Sequence, residues 1–281
     1  MINILILGLV LSLVIAVLFG IKRQKRVLIN KQLTGVNSII NINDLVKLLQ
    51  KHRGLSAALC SGDDSVVREL GQLVNNIRSL ISKLNKLPNM NYSGRWLSFN
   101  DHWSRLSQHQ KGISADNSFK QHTNIIANIL YLLEDVAEQH SLTKEYLADF
   151  VNIGFLWREL LAIIESVGQS RAVGTRTVTI KYCSSVDKIK LKFLQQHISV
   201  VSEEVLKTLL DNSQQRKFVD LVEQSLTSTH CLTTTITNDI LDVDKIVIDR
   251  TVYFELATDT MEKLNQVFSY QVEQLQQSLQ K

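Results

Sequence analysis

Residues 45–59 read Leu45-Val46-Lys47-Leu48-Leu49-Gln50-Lys51-His52-Arg53-Gly54-Leu55-Ser56-Ala57-Ala58-Leu59. The apolar positions Leu45, Leu48, Leu49, Leu55 and Leu59 recur at spacings that gather on one face of a 3.6-residue helix, whereas a strand would alternate every second residue. The pattern predicts a helix over about residues 28–60, ended by the polar break Ser61-Gly62-Asp63-Asp64, with Asp64 as cap of a helix from Ser65 to about Leu87. The whole chain contains one proline, Pro88, and 11 glycines. Proline removes an amide donor and breaks helices, so its near absence suits long helices and short connections. An all-α fold follows.

Working outward, Pro88 to Gly94 reads as a loop, and further helices are expected over 95–112, 117–139, 142–182, 185–211, 214–238 and 243–280. Paired antiparallel helical bundles, with long helices shared between them, accommodate these lengths. The final segment, Tyr253 to Leu279, is rich in Gln and Glu with apolar spacing at Leu264, Phe268, Val272, Leu275 and Leu279. It suits a last bundle helix or a two-stranded coiled-coil tail, which would make a homodimer.

The amino terminus has a different character. Ile4 to Ile21 is a run of 18 positions interrupted only by Gly8, Ser12 and Gly20, and Lys22, Arg23, Lys25 and Arg26 follow at once. At about 1.5 Å per residue such a helix can cross a hydrocarbon core of ~30 Å. No Lys or Arg precedes the run, which argues against a cleaved signal peptide. The expectation is a transmembrane anchor with a basic flank over residues 1–26 and a helical domain over 27–281, placed on the cytoplasmic side of a bacterial inner membrane by the positive-inside rule.

Charge and motifs exclude several classes. The formal net charge is +4, and the four basic residues beside the apolar run account for it: 27 of the 31 Lys and Arg remain, against 27 Asp and Glu. The rest of the chain is neutral, with no basic field for nucleic acid. Cys60, Cys183 and Cys231 form no CxxC pair, and the seven histidines form no HExxH. No Walker loop, GxGxxG or GxSxG occurs, so no cofactor and no enzymatic activity are expected.

The arginines carry the functional signal. Arg53 flanks the apolar stripe beside small Ser56 and Ala57, and Gly54 suggests a close helix or ligand approach. Arg171 continues the stripe Leu160, Ile164, Val167 and is followed along it by Gly174 and Val178, so a charge stands where an apolar residue is expected. A buried unpaired charge costs several kcal/mol and calls for an anion. Glu165 is nearly two turns from Arg171 and points differently, whereas a small anion between two planar guanidinium groups answers the cost. Arg176, five residues on, lies about 140° around the helix, so only one of the two can aim at a given point, and Arg171 is preferred. Pairing of each arginine with a carboxylate of the bundle is the competing reading. The order arginine, small, aliphatic, small, small recurs at Arg53–Ala57 and Arg171–Thr175, as two duplicated bundle halves or chance would produce.

Three stretches resemble the nitrate- and nitrite-sensing (NIT) domain family: Leu45 to Ala57 with its Gln50-x-x-Arg53-Gly54-x-Ser56 core, Ile164 to Gly174, and Tyr253-Phe254-Glu255-Leu256-Ala257-Thr258 followed by Met261 and Leu264. The resemblance implies nitrate or nitrite held between helices by arginines, with Arg53, Arg171 and Arg176 the positions carried over, and signalling by helix shift. His52 stands where the family commonly has an acidic residue. The chain ends at Lys281 with no kinase, cyclase, chemotaxis or RNA-binding module, so the expected output is a separate partner protein. A helical adaptor at the inner membrane that binds no ligand is the alternative.

Overall fold

The computed structural model describes residues 2–60, 62–108, 113–210 and 215–280, with the side chains of residue 11 and of residue 13 onward in the first helix. Among the described residues there are eight helices of a dozen residues or more and no strand: α1 Ile2–Cys60, α2 Val67–Leu84, α3 Gly94–Gln108, α4 Ala115–Gln139, α5 Leu161–Ile180, α6 Ser185–Leu210, α7 Arg216–Ile236 and α8 Arg250–Gln280. Helices α1 to α4 pack as one bundle and α5 to α8 as a second, closed by α8 returning to α5. Helix α1 also touches α5 and α8, so the two bundles meet along it. One apolar core runs through both, from Val36 on α1 to Leu275 on α8.

Local chemistry sets the element ends. Asp63, rather than the expected Asp64, accepts from the Ser65 amide and opens the short 3-10 turn Asp64–Val66 ahead of α2. Ser114 caps α4 through the Asn117 amide, and Asp249 receives the Thr251 amide at the start of α8. The helix expected over 142–182 begins only at Ile153, because Ser141 adopts φ 57° and the chain turns there. It enters α5 through the π-turn Leu156–Leu160, and Lys181, at φ 54°, ends it. The helix expected from 243 starts at Arg250. In α2 the buried residues Leu70, Leu73, Ile77, Leu80 and Leu84 keep the three-and-four spacing of a single stripe.

Helix α1 has two parts. Burial begins at Gln32 and runs through Val36, Ile39, Ile42, Leu45 and Leu49 to Arg53 and Ser56. Before that the described side chains from Leu11 to Ile21 are largely exposed. No helix, among the described residues, is long and apolar enough to cross a membrane. The expected span 4–21 lies in part outside those residues, since side chains 2–10 and 12 are not described.

Candidate functional site

The seam where α1 meets α5 holds the most deeply buried charges. Gln50 and Arg53 lie three residues apart on α1 and therefore share a face. Opposite them, Glu165 and Gln169 lie one turn apart on α5. Arg53 donates from Nη1 to Glu165 Oε1 at 2.5 Å and from Nη2 to Oε2 at 3.3 Å. Gln50 Nε2 donates to Oε2 at 2.9 Å and Gln169 Nε2 to Oε1 at 3.0 Å. The Arg53 side chain is 1% exposed and that of Glu165 7%. A dry pair of this kind survives because the forked geometry and the extra amide donors offset the desolvation of both charges.

Gly168 makes the approach feasible. A Cβ there would lie 2.9 Å from Arg53 Nη2 and 3.2 Å from Met261 Cε. Gly54, which the sequence suggested for such a role, is exposed, and a Cβ on it would meet nothing within 4 Å. That expectation is corrected: the close approach is made at a glycine on the facing helix, because Gly54 points away from the seam.

Arg171, six residues and nearly two turns beyond Glu165, has a different environment. Its Nη1 donates to Thr258 Oγ1 at 3.0 Å, and its guanidinium lies 5.3 Å from the centre of the Phe254 ring. Phe254 and Thr258 are one turn apart on α8, so the aromatic-to-threonine stretch brackets this arginine. Among the described residues no carboxylate lies within ion-pair distance of Arg171. Burial first, and then the Arg53 charge, lower its pKa to about 10. The neighbouring Tyr253 hydroxyl donates to the Ser170 carbonyl at 2.9 Å, and burial pushes its pKa up. Gly174 leaves the space that the Tyr253 ring fills.

Arg176 is not brought to this seam. It pairs with Asp116 at 2.7 Å and Asp187 at 2.5 Å, and Asp187 also accepts from Ser184. Of the three candidate arginines, Arg53 and Arg176 have carboxylate partners and Arg171 does not. The rotation of about 140° between Arg171 and Arg176 is the reason they face different neighbours.

Sequence reasoning missed two features. Glu165 makes no ion pair with Arg171, as its place on the helix implies, and its role as the partner of Arg53 depends on helix pairing across 112 residues. Its position beside Ile164 in a helix with few charges was the available signal. The second is a histidine pair. His52 Nδ1 and His122 Nε2 are 2.7 Å apart, His122 Nδ1 is 2.7 Å from the Ser118 carbonyl, and Trp103 packs edge-on to His52 at 4.9 Å. The Ser118 carbonyl requires a proton on His122 Nδ1, so neutral His122 accepts at Nε2 and His52 donates from Nδ1. Burial, reinforced by His122 itself, lowers the His52 pKa to about 3; burial lowers that of His122 to about 4, with Arg53 contributing. The pair is neutral near pH 7. No grouping of His, Cys, Asp or Glu among the described residues could hold a metal ion.

Two larger hollows lie elsewhere. One of about 240 Å³ is lined by Asn152, Leu209, Gln215, Tyr270 and Gln274. The other, about 390 Å³, lies beside His102, Leu106 and Gln121. Neither is lined by Arg53 or Arg171.

Comparison with known proteins identifies the family and the fold. A family model described as nitrate and nitrite sensing matches residues 44–276, a span that includes Arg53, Glu165, Arg171 and Thr258. Among solved structures, one titled "Structure of the NasR transcription antiterminator" superposes with a TM-score of 0.67 at 16% identity, covering 95% of this chain and 74% of that one. At that identity the likeness is one of fold. No curated protein matches the chain.

Proposed function

Because the chain belongs to the nitrate- and nitrite-sensing family, we propose that it binds one small planar oxyanion at the seam of α1, α5 and α8, through Arg171 and Arg53. The observation that carries this reading is Arg171: a largely buried guanidinium with a threonine hydroxyl and an aromatic face for company and no carboxylate. An anion there relieves both the desolvation of Arg171 and its repulsion by Arg53. Arg176 stands aside, its charge already met by Asp116 and Asp187.

Binding is read out as a helix shift. Arg53 is on α1, Arg171 on α5 and the Arg171 contacts on α8, so an anion that draws the arginines together moves α1 against the second bundle. Helix α1 is continuous from the seam back to Ile2. The 27 residues from Arg53 back to Arg26 span about 40 Å, a stiff lever ending in the basic cluster. We place the apolar stem before that cluster in a bacterial inner membrane. Leu13, Val14, Ile15, Val17, Leu18 and Phe19 support this, being between 46% and 69% exposed on a helical stem. The signal passes to a separate partner protein.

A thermal-unfolding titration tests the anion site. Nitrate and nitrite, against chloride at matched ionic strength, should raise the stability of the chain by about 2.7 kcal/mol at 100 times the dissociation constant. Arg171→Met should remove that increment. A well-folded protein that responds to nitrate no more than to chloride would refute the reading and leave the adaptor role.

A further inference from the structure

The charges around the seam fall into an outer set and an inner set. Arg176 and Lys190 form the cationic part of the outer set, and Asp116 and Asp187 answer them: Arg176 bonds to both carboxylates, and Lys190 contributes to holding the Asp116 carboxyl below its usual range. That set is neutral. Glu262 on α8 lies in the field of Arg171 but is exposed, so solvent screens it. The His52–His122 pair is uncharged near pH 7.

The inner set comprises Arg53, Arg171 and Glu165. Two positive charges and one negative leave a single positive charge in a seam where Arg53 and Glu165 are buried and Arg171 is partly buried. We infer that Glu165 is the specificity-determining residue of the anion site, setting its charge so that one monovalent oxyanion neutralises it and a divalent one is rejected. The inference rests on the anion-site reading above and adds to it the rule by which the site chooses. A monovalent ion brings the cluster to zero. Sulfate, with a similar oxygen surface, would leave an uncompensated negative charge beside Glu165. In a partly desolvated site that like-charge contact outweighs any extra hydrogen bond the dianion makes.

Geometry confines this role to Glu165. Its carboxylate is held by four polar contacts, from Arg53 Nη1 and Nη2, Gln50 and Gln169, so it cannot swing away to let a second negative charge in. Gln50 and Gln169 are neutral and add no charge of their own. Gln169 is also one turn from Glu165 on the same helix, which offers a second way to alter the charge without removing the Arg53 partner.

The test compares sodium nitrate with sodium sulfate, at matched ionic strength, on the full chain as wild type, Glu165→Gln and Gln169→Glu, by calorimetry and thermal shift. Wild type should prefer nitrate by roughly tenfold or more. Glu165→Gln, which keeps the shape and leaves two positive charges, should move the sulfate-to-nitrate affinity ratio toward sulfate by roughly tenfold or more. Gln169→Glu brings the inner set to zero without an anion and should weaken nitrate by a similar factor. A folded Glu165→Gln with the wild-type ratio overturns the inference. If that variant does not fold, unchanged nitrate affinity in Gln169→Glu overturns it instead. Nitrate binding with an unaltered ratio sinks the charge rule alone; a wild type, Glu165→Gln and Gln169→Glu that all ignore nitrate sink the anion site with it.

Discussion

The two arginines of the seam should respond oppositely to the same substitution in the absence of anion. Replacing Arg53 by Met leaves Glu165, with a side chain 7% exposed, as a buried carboxylate served only by two glutamine amides. Breaking a buried pair in this way costs about 3–5 kcal/mol. At about 2–4 °C per kcal/mol for a domain of this size, the midpoint falls by roughly 6–20 °C. Replacing Arg171 by Met removes a charge whose pKa burial and Arg53 have lowered to about 10. The lowering from 12.5 to about 10, at about 1.4 kcal/mol per pH unit and discounted for the partial exposure of Arg171, means that removing the charge returns on the order of 3 kcal/mol. The Thr258 hydrogen bond and the Phe254 contact go with it, at about 1 kcal/mol each. The net effect lies between neutral and a gain of about 1 kcal/mol. Urea unfolding followed by circular dichroism, without nitrate, measures both. The double variant Arg53→Met/Glu165→Leu serves as control and should recover most of the single-variant loss, because no charge is then left unpaired. An Arg171→Met loss as large as that of Arg53→Met would refute the reasoning, since it would mean that Arg171 already has a strong partner.

Other expectations follow from neighbouring features. Folded His52 and His122 hold pKa values of about 3 and 4, below an ordinary 6.5, so below pH 6.5 the unfolded chain binds more protons. Stability should therefore fall with acidification by up to about 1.4 kcal/mol per pH unit for each histidine, and His122→Gln should flatten the slope measured by urea unfolding between pH 6.5 and 4.5. Gly174→Ala should lose about 1–3 kcal/mol or more because its Cβ meets the Tyr253 ring. Gly54→Ala should gain about 0.5–1 kcal/mol in the same assay, because its Cβ meets nothing. Arg176→Ala should cost about 1–3 kcal/mol by leaving the buried Asp187 with only Ser184, while anion affinity measured by calorimetry stays unchanged.

What the sequence determined by itself was the helical class and the family; it also singled out three arginines for their environment to be read from the fold. Local spacing carries that information: the stripe through Leu45, Leu49 and Leu55 and the stripe broken at Arg171 are properties of one helix read alone. The 140° between Arg171 and Arg176 also belongs to a single helix, and it correctly separated two residues that a motif alone would have joined. The helix ends were less legible. The break before Ile153 depends on a left-handed Ser141 that no strong turn residue announces, and the cap before α2 moved by one position between two adjacent aspartates.

Tertiary structure alone decided which arginine is paired. Arg53 and Glu165 are 112 residues apart, and which carboxylate meets which guanidinium depends on how α1 lies against α5. Gly168 and Gly54 make the same point. Both are glycines in helices beside the key residues, but only the packing of Arg53 and Met261 against Gly168 makes one of them necessary. A charge's partner, and a glycine's purpose, are set by the neighbouring helix, which local periodicity does not encode.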